Sequence, residues 1–297
     1  MAITNSIVNF GRFLKRRNYS SNTVDNYLYS LRQFVLWTKV PIEQVSPREI
    51  ADYIDHLRER GLAPKTINCH VNRIKQFYDY LREQEQLSTA RPVNRKHNLR
   101  LPKPLPRHLS DAQAKAFLEV PKHPRDQAMF LLMLRCGLRV EEVAKLRMDA
   151  IDFKRRRVLI QNGKWGKARV VCISNDALKA LVAYLKVRPS SRARKVFLVE
   201  KGTYTGRPIS VRGIKKRIEY YAKKYGLTVS CHQLRHTMAT QLLNAGAELV
   251  AIQDLLGHSS ITTTQRYSRV SNLKVERDYH TAMQIVMQRS ACNPLGP

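Results

Sequence analysis

Between residues 90 and 108 the hydrophobic periodicity of the chain stops. The stretch sets Pro92, Pro102, Pro104 and Pro106 among Arg91, Arg95, Lys96, Arg100, Lys103 and Arg107. Proline has no amide donor and holds the residue before it extended, so neither a helix nor an internal strand runs through such a segment. It reads as an extended, basic linker, with a structured surface loop as the alternative. A chain interrupted in this way packs as two parts. The expected division is a first domain at 1–88, the linker at 89–108, a second domain at 109–276 and a tail at 277–297.

The first part is patterned for helices alone. Val24, Tyr27, Leu28, Leu31, Phe34 and Val35 recur at helical spacing over Ser21 to Trp37. Ser46, Pro47 and Glu49 form the signature of a capped helix start, and Gly61 ends the helix they open. Pro64 opens a third helix, and a shorter one is expected near Ile7 to Leu14. The second part is mixed. Helices are expected from Ser110, over Arg125 to Cys136 and Leu138 to Leu146, after Ser174, and over Val211 to Tyr225, His232 to Asn244, Glu248 to Leu256 and Ile261 to Tyr267. Val158–Gln161 and Ala168–Ile173 alternate as a hairpin around a turn at 162–167, and Lys195–Val199 reads as a short strand. The expected class is therefore mainly α with a small β-sheet. The tail holds one amphipathic stretch, Tyr279 to Met287, suited to docking on its own domain or on a neighbouring protomer.

Charge narrows the partner. Lys and Arg total 53 against 23 Asp and Glu, a net +30. Such an excess repels itself unless a polyanion relieves it, and nucleic acid is the common one. Charge alone fits an RNA-binding protein as well as a DNA-binding one. The longest apolar run, Ala128 to Leu134, is far short of the roughly 20 residues of a membrane span. Met1 to Phe10 lacks the pattern of a secretory leader. The five cysteines are scattered, odd in number and without a CxxC pair, which favours a reducing, cytoplasmic setting over disulfides or a metal site.

Four local patterns carry chemistry. In Gly137-Leu-Arg-Val-Glu-Glu142, Arg139 and Glu142 are three apart after a glycine turn, so the acid can orient a guanidinium suited to phosphate; a surface ion pair has the same spacing. In Gly163-Lys-Trp-Gly-Lys-Ala-Arg169, a hairpin lysine can reach a leaving oxygen as a proton donor or simply contact phosphates. In His232-Gln-Leu-Arg-His236, His232 and Arg235 share a helical face. The zinc-protease motif needs Glu after its first histidine, and Gln233 stands there. Leu256-Gly-His258 is followed by Tyr267 nine residues on.

In this order and spacing the four patterns resemble the tyrosine recombinase family, the lambda-integrase-like or Xer-type site-specific recombinases. Trp165 departs from the glycine that close relatives often carry, without touching Lys164. The resemblance spans the chain. It implies a two-domain C-shaped DNA clamp whose helical first domain is the core-binding, SAM-like unit.

For function, the resemblance implies a DNA strand transferase acting through a 3′-phosphotyrosyl intermediate, in integration, excision or resolution. Tyr267 is the implied nucleophile. Arg139, Arg235 and His258 hold the phosphate, His232 assists the tyrosine, Lys164 is the general acid, and Glu142 supports the site. Lys167 is the competing lysine and is assigned, with the linker cations, to DNA contacts. No metal, cofactor or small-molecule substrate is implied. The implied partners are duplex DNA with paired inverted half-sites and further copies of the chain, up to a tetramer on DNA, in the nucleoid-associated cytoplasm. A type IB topoisomerase shares the chemistry, and a non-catalytic DNA-binding regulator is the alternative of another class.

Overall fold

The structure is a computed structural model, and it describes residues 3–85, 91–102, 107–161, 168–257 and 283. The chain divides into two compact units, Met1–Lys103 and Pro104–Pro297.

The first unit consists of helices α1 (Ile3–Arg16), α2 (Ser21–Trp37), α3 (Pro47–Glu59) and α4 (Pro64–Gln84). Their starts follow from local chemistry. Ser20 accepts the Thr23 amide at 3.2 Å, and Glu49 accepts the Ser46 amide at 2.9 Å, so donors with no partner inside the helix are satisfied by side chains. The apolar faces close on Phe10, Leu31, Phe34, Ile50, Leu57, Ile67, Ile74 and Phe77, all fully buried. The described part of the proline-containing stretch is docked on this unit. Val93 is buried in its core, and Asn68 on α4 holds both backbone groups of Leu99, accepting its N–H at 2.8 Å and donating to its carbonyl at 2.9 Å. One side chain thus satisfies both backbone groups of Leu99.

The second unit begins with α5 (Asp111–Glu119), α6 (Pro124–Arg135) and α7 (Val140–Lys145). An antiparallel sheet follows in the order β1 (Ile151–Asp152), β2 (Arg157–Ile160), β3 (Arg169–Cys172), with Ile160 opposite Arg169. Then come α8 (Asn175–Val187), α9 (Val211–Lys224), α10 (Cys231–Asn244) and α11 (Leu249–Leu256). The mainly helical class with a small sheet is as expected. The central element is α6, whose Ala128–Leu134 run is buried against neighbours on every side. Phe130 stacks on Phe117 at 5.4 Å and meets Tyr221 edge-on at 5.7 Å, and its truncation to alanine is of the kind that costs about 3–5 kcal/mol.

The expected strand at Lys195–Val199 is different. It makes only single bridges, Arg147 with Lys195 and Leu198 with Pro208. Val196, Phe197 and Leu198 are all buried, and the segment shares only a few backbone bonds on either side, Val196 donating to the Leu146 carbonyl at 2.8 Å and Phe197 accepting from the Ile209 amide at 3.0 Å, too few for a ladder. The two-residue β1 is too short to leave an alternation in the sequence.

A buried ionic group fixes α6 to α9. Asp126 is fully buried and accepts from Arg125 Nε at 3.0 Å, Arg217 Nε at 2.8 Å and the Tyr221 hydroxyl at 3.1 Å. The helix carrying Arg235 starts at Cys231 with Ser230 as its cap, and Thr237 further along the same helix accepts the Leu109 amide at 2.9 Å. This orients α10 against the entry of the unit.

Candidate active site

Gly137 ends α6 in a left-handed conformation, φ +66°, and a Cβ there would meet Met238 Sδ and Leu256 Cδ2 at 3.1 Å. Only glycine combines that backbone with that approach. The turn delivers Arg139 to the residue just before α7. The sequence pattern places Arg139 and Glu142 on one helical face, but Arg139 is extended, φ −72° and ψ 152°, and it is the cap of α7. Glu142 reaches back from the first turn. It accepts the Arg139 amide at 2.7 Å and Arg139 Nη1 at 3.0 Å. The acid therefore orients the guanidinium by capping the helix, which fixes backbone and side chain together.

Arg235 is almost fully buried on α10. Its Nη1 donates to the Gly137 carbonyl and its Nη2 to the Leu256 carbonyl. Arg139 Nη2 donates to the Gly257 carbonyl at 3.2 Å. A third guanidinium joins them: Arg169, the first residue of β3, donates from Nε to the Leu255 carbonyl at 2.9 Å. Three consecutive carbonyls at the end of α11 are thus each held by an arginine. The last carbonyls of a helix lack intrahelical partners and carry partial negative charge, so guanidiniums suit them. The Gly257 amide closes the same turn on Asp254 at 3.0 Å.

Arg169 also grips Glu142, with Nη1 and Nη2 on the two carboxylate oxygens at 2.7 Å each. Burial pushes the Glu142 carboxyl up, but the hydrogen bonds from Arg169 and from the Arg139 amide, with the two positive charges, outweigh it and hold the group below its ordinary range. Glu142 is therefore a fixed anion between two cations.

His232 sits at the start of α10, three residues before Arg235, and is exposed; its ring lies 6.5 Å from that of His236. The structure thus brings together Arg139, Glu142 and Arg235 and places His232 on the helix of Arg235. Lys164, Lys167, His258 and Tyr267 lie outside the described residues, as does Lys103. Arg91, Arg95, Lys96, Arg100 and Arg107 are exposed, Arg91 facing Asp79 at 3.5 Å. Among the described residues no helix is long and apolar enough to cross a membrane.

Arg169 is the residue that sequence reasoning missed as part of the site. The usable signal was the alternation of β3: Arg169 and Val171 share the inward face, Val171 is fully buried, and an inward arginine calls for a buried acid.

Residues 107–274 match the phage integrase family, and residues 7–87 match the phage integrase N-terminal SAM-like domain. The chain belongs to the phage integrase family. It is 31% identical over 264 residues to tyrosine recombinase XerA of Pyrococcus horikoshii, covering 88% of each chain. It is 32% identical over 293 residues to tyrosine recombinase XerC of Bacillus pumilus, covering 92% of this chain and 94% of that one. Among solved structures, the Tn1549 transposon integrase in complex with transposon right end DNA has the same fold, with a TM-score of 0.73 at 22% identity over 88% of this chain and 94% of that one. The resemblance to tyrosine recombinases read from the four patterns therefore holds over both units. Within this phage integrase fold the arginines of the first and third patterns meet at one helix end, although 95 residues separate Arg139 from Arg235 in the sequence.

Proposed function

We propose that this site-specific DNA recombinase cuts duplex DNA one strand at a time, with Tyr267 as nucleophile. The phenolic oxygen attacks the scissile phosphorus, the bond to the 5′-oxygen breaks, and a 3′-phosphotyrosyl bond forms. His232 takes the phenolic proton or orders the hydroxyl by hydrogen bonding, and Lys164 gives a proton to the leaving 5′-oxygen. Arg139 and Arg235 hold the non-bridging oxygens as charge builds on them, and His258 donates to the same phosphate. A phenolate is a better leaving group than an alkoxide, so the 5′-hydroxyl of a second duplex reverses the bond and completes the exchange.

The observation that carries this reading is the anchoring of Arg139 and Arg235 on the carbonyls of Gly257 and Leu256, immediately before His258 in the chain. Phosphate-binding guanidiniums accelerate a reaction only when they are held before the substrate arrives, and these two are held by one helix end. In this reading two arginines, two histidines and a lysine provide the positive charge, so no metal is implied.

In this reading residues 109–276 carry the chemistry, and residues 1–88, with the basic stretch 89–108, hold DNA. The substrate is a duplex with paired inverted half-sites. Exchange between two duplexes requires four protomers, and the tail from Asp278 onward is the candidate link between neighbours. The protein works in the cytoplasm, on the nucleoid.

A nicked suicide substrate, which after cleavage loses the short fragment bearing the freed 5′-hydroxyl, tests the reading. Covalent protein–DNA adduct is expected with the parent protein and none with Tyr267→Phe. No adduct from the parent, or undiminished adduct from the variant, refutes it.

A further inference from the structure

Arg169 makes a set of contacts that the reaction scheme above does not use. Its side chain is only 9% exposed. Nη1 and Nη2 form a parallel pair of bonds to Glu142, and Nε bonds the Leu255 carbonyl. A Cβ on Gly257 would stand 2.9 Å from Arg169 Cδ, so the end of α11 also packs directly on its stem. One planar side chain therefore touches the acid that orients Arg139 and the helix end that precedes His258, and its own backbone begins β3, five residues after Lys164 in the sequence.

Resting on the functional reading above, we propose that Arg169 is a positioning residue for strand cleavage: by joining the Glu142 carboxylate to the Leu255 carbonyl, it sets Arg139, the end of α11 and β3 in one register. A guanidinium can do this because its donors form a rigid fork; a lysine ammonium, a single point of charge on a flexible stem, cannot keep two carboxylate oxygens and a carbonyl in one plane. The role is distinct from charge neutralisation of the phosphate, because all three oxygens that Arg169 holds belong to the protein.

Among the described residues, the charged groups around Glu142 are Arg139 at its own helix start, Arg169 from β3, Arg235 on α10 beyond the Gly137 and Leu256 carbonyls, and Lys145 and Arg147 along the small cavity it shares with Glu141. Removing the Arg169 hydrogen bonds and charge takes away two of the influences that depress the Glu142 carboxyl, leaving burial opposed by Arg139 alone, so its proton is held more tightly than in the parent. Loss of Arg169 therefore has a pH signature that a simple packing defect lacks.

The test uses the full-length chain, the suicide substrate, and Arg169→Gln and Arg169→Lys. At saturating DNA, Arg169→Gln is expected to cleave about a hundredfold more slowly while its half-site affinity stays within about twofold, a loss confined to the cleavage step. The acid limb of its pH–rate profile is expected to move to higher pH. Arg169→Lys, which keeps the charge and guards against a folding failure of the first variant, is expected to fall between Arg169→Gln and the parent. Combining Arg169→Gln with Glu142→Gln should slow cleavage by less than the product of the two separate losses, because one residue acts through the other.

Parental cleavage by either variant, an unmoved acid limb in Arg169→Gln, or fully multiplicative losses in the double variant overturns the inference. Failure of the parent itself to form an adduct strikes the functional reading instead, so the two failures are separable.

Discussion

Arg139 Nη2 donates to the Gly257 carbonyl at 3.2 Å, so the cap of α7 is tied to the last described residue before His258. The contact spans 118 positions of sequence and joins two of the four patterns that carry the chemistry. Because Glu142 holds the other side of the same guanidinium, Arg139 is fixed from both ends before any phosphate arrives.

Arg139→Lys keeps the positive charge and removes the fork. An ammonium can satisfy Glu142 or the Gly257 carbonyl, but it lacks the geometry to do both and still grip two phosphate oxygens. Single-turnover cleavage of a suicide substrate is expected to fall by about 10²–10³-fold, the cost typical of losing one pre-placed donor to a developing anion. Binding to the uncleaved site should change far less, since phosphates along the whole duplex supply most of the attraction.

Glu142→Gln leaves two guanidiniums facing an uncharged amide. Breaking one partner of a buried ion pair costs about 3–5 kcal/mol, and urea unfolding of the two proteins measures it. The folded carboxyl titrates below the ordinary value of 4.5, so in the parent the unfolded chain binds the proton more tightly than the native one. The stabilisation from ionised Glu142 is then fully present above about pH 4.5 and is lost as the pH falls through the depressed native value. The gap between parent and variant should accordingly be constant from pH 7 down to pH 5 or so and close below that. A gap that widens toward acid contradicts the assignment of Glu142 as the fixed anion.

Gly257→Ala tests the end of α11. The residue has φ +60°, where an L side chain costs about 1–2 kcal/mol, and its new Cβ would be 2.9 Å from Arg169 Cδ. Arg169 cannot swing away without releasing Glu142 and the Leu255 carbonyl, so both penalties apply. A lowered unfolding midpoint together with slower cleavage is the expected result. Gly226→Ala serves as the reference: it has φ +63° with nothing within 4 Å of the added Cβ, so it carries the backbone cost alone and should leave cleavage unaffected.

The elements of this fold were legible wherever local chemistry set them. Ser46, Pro47 and Glu49 announce α3, and the glycine at 137 announces the end of α6, because caps and turns depend on neighbours in sequence. The patterns at 137–142 and 232–236 were legible as a family resemblance, but their geometry was not. Arg139 and Glu142 were expected side by side on a helix, whereas Glu142 caps the helix that Arg139 precedes. The arginine contacts at the end of α11 leave no mark in the sequence at all, because every residue carries a carbonyl and only folding decides which three are presented. Arg169 was hidden for the related reason that its acid lies 27 residues away.

Lys164→Ala addresses the proton on the leaving oxygen. An alkoxide is a poor leaving group at neutral pH, so without a general acid the bond to the 5′-oxygen breaks slowly; general acids contribute about 10²–10⁴-fold in such steps. A thiolate needs no proton to leave. If Lys164 is the acid, a substrate with sulfur at the bridging 5′ position should be cleaved by Lys164→Ala at nearly the parental rate, while the ordinary substrate is cleaved slowly. Lys167→Ala is the informative partner, since it stands three residues on in the same hairpin sequence. It should lose some DNA affinity and show the same rate ratio between the two substrates as the parent. Sulfur rescue of Lys167→Ala in place of Lys164→Ala would transfer the acid role to Lys167, and rescue of neither would place the proton donor outside the hairpin.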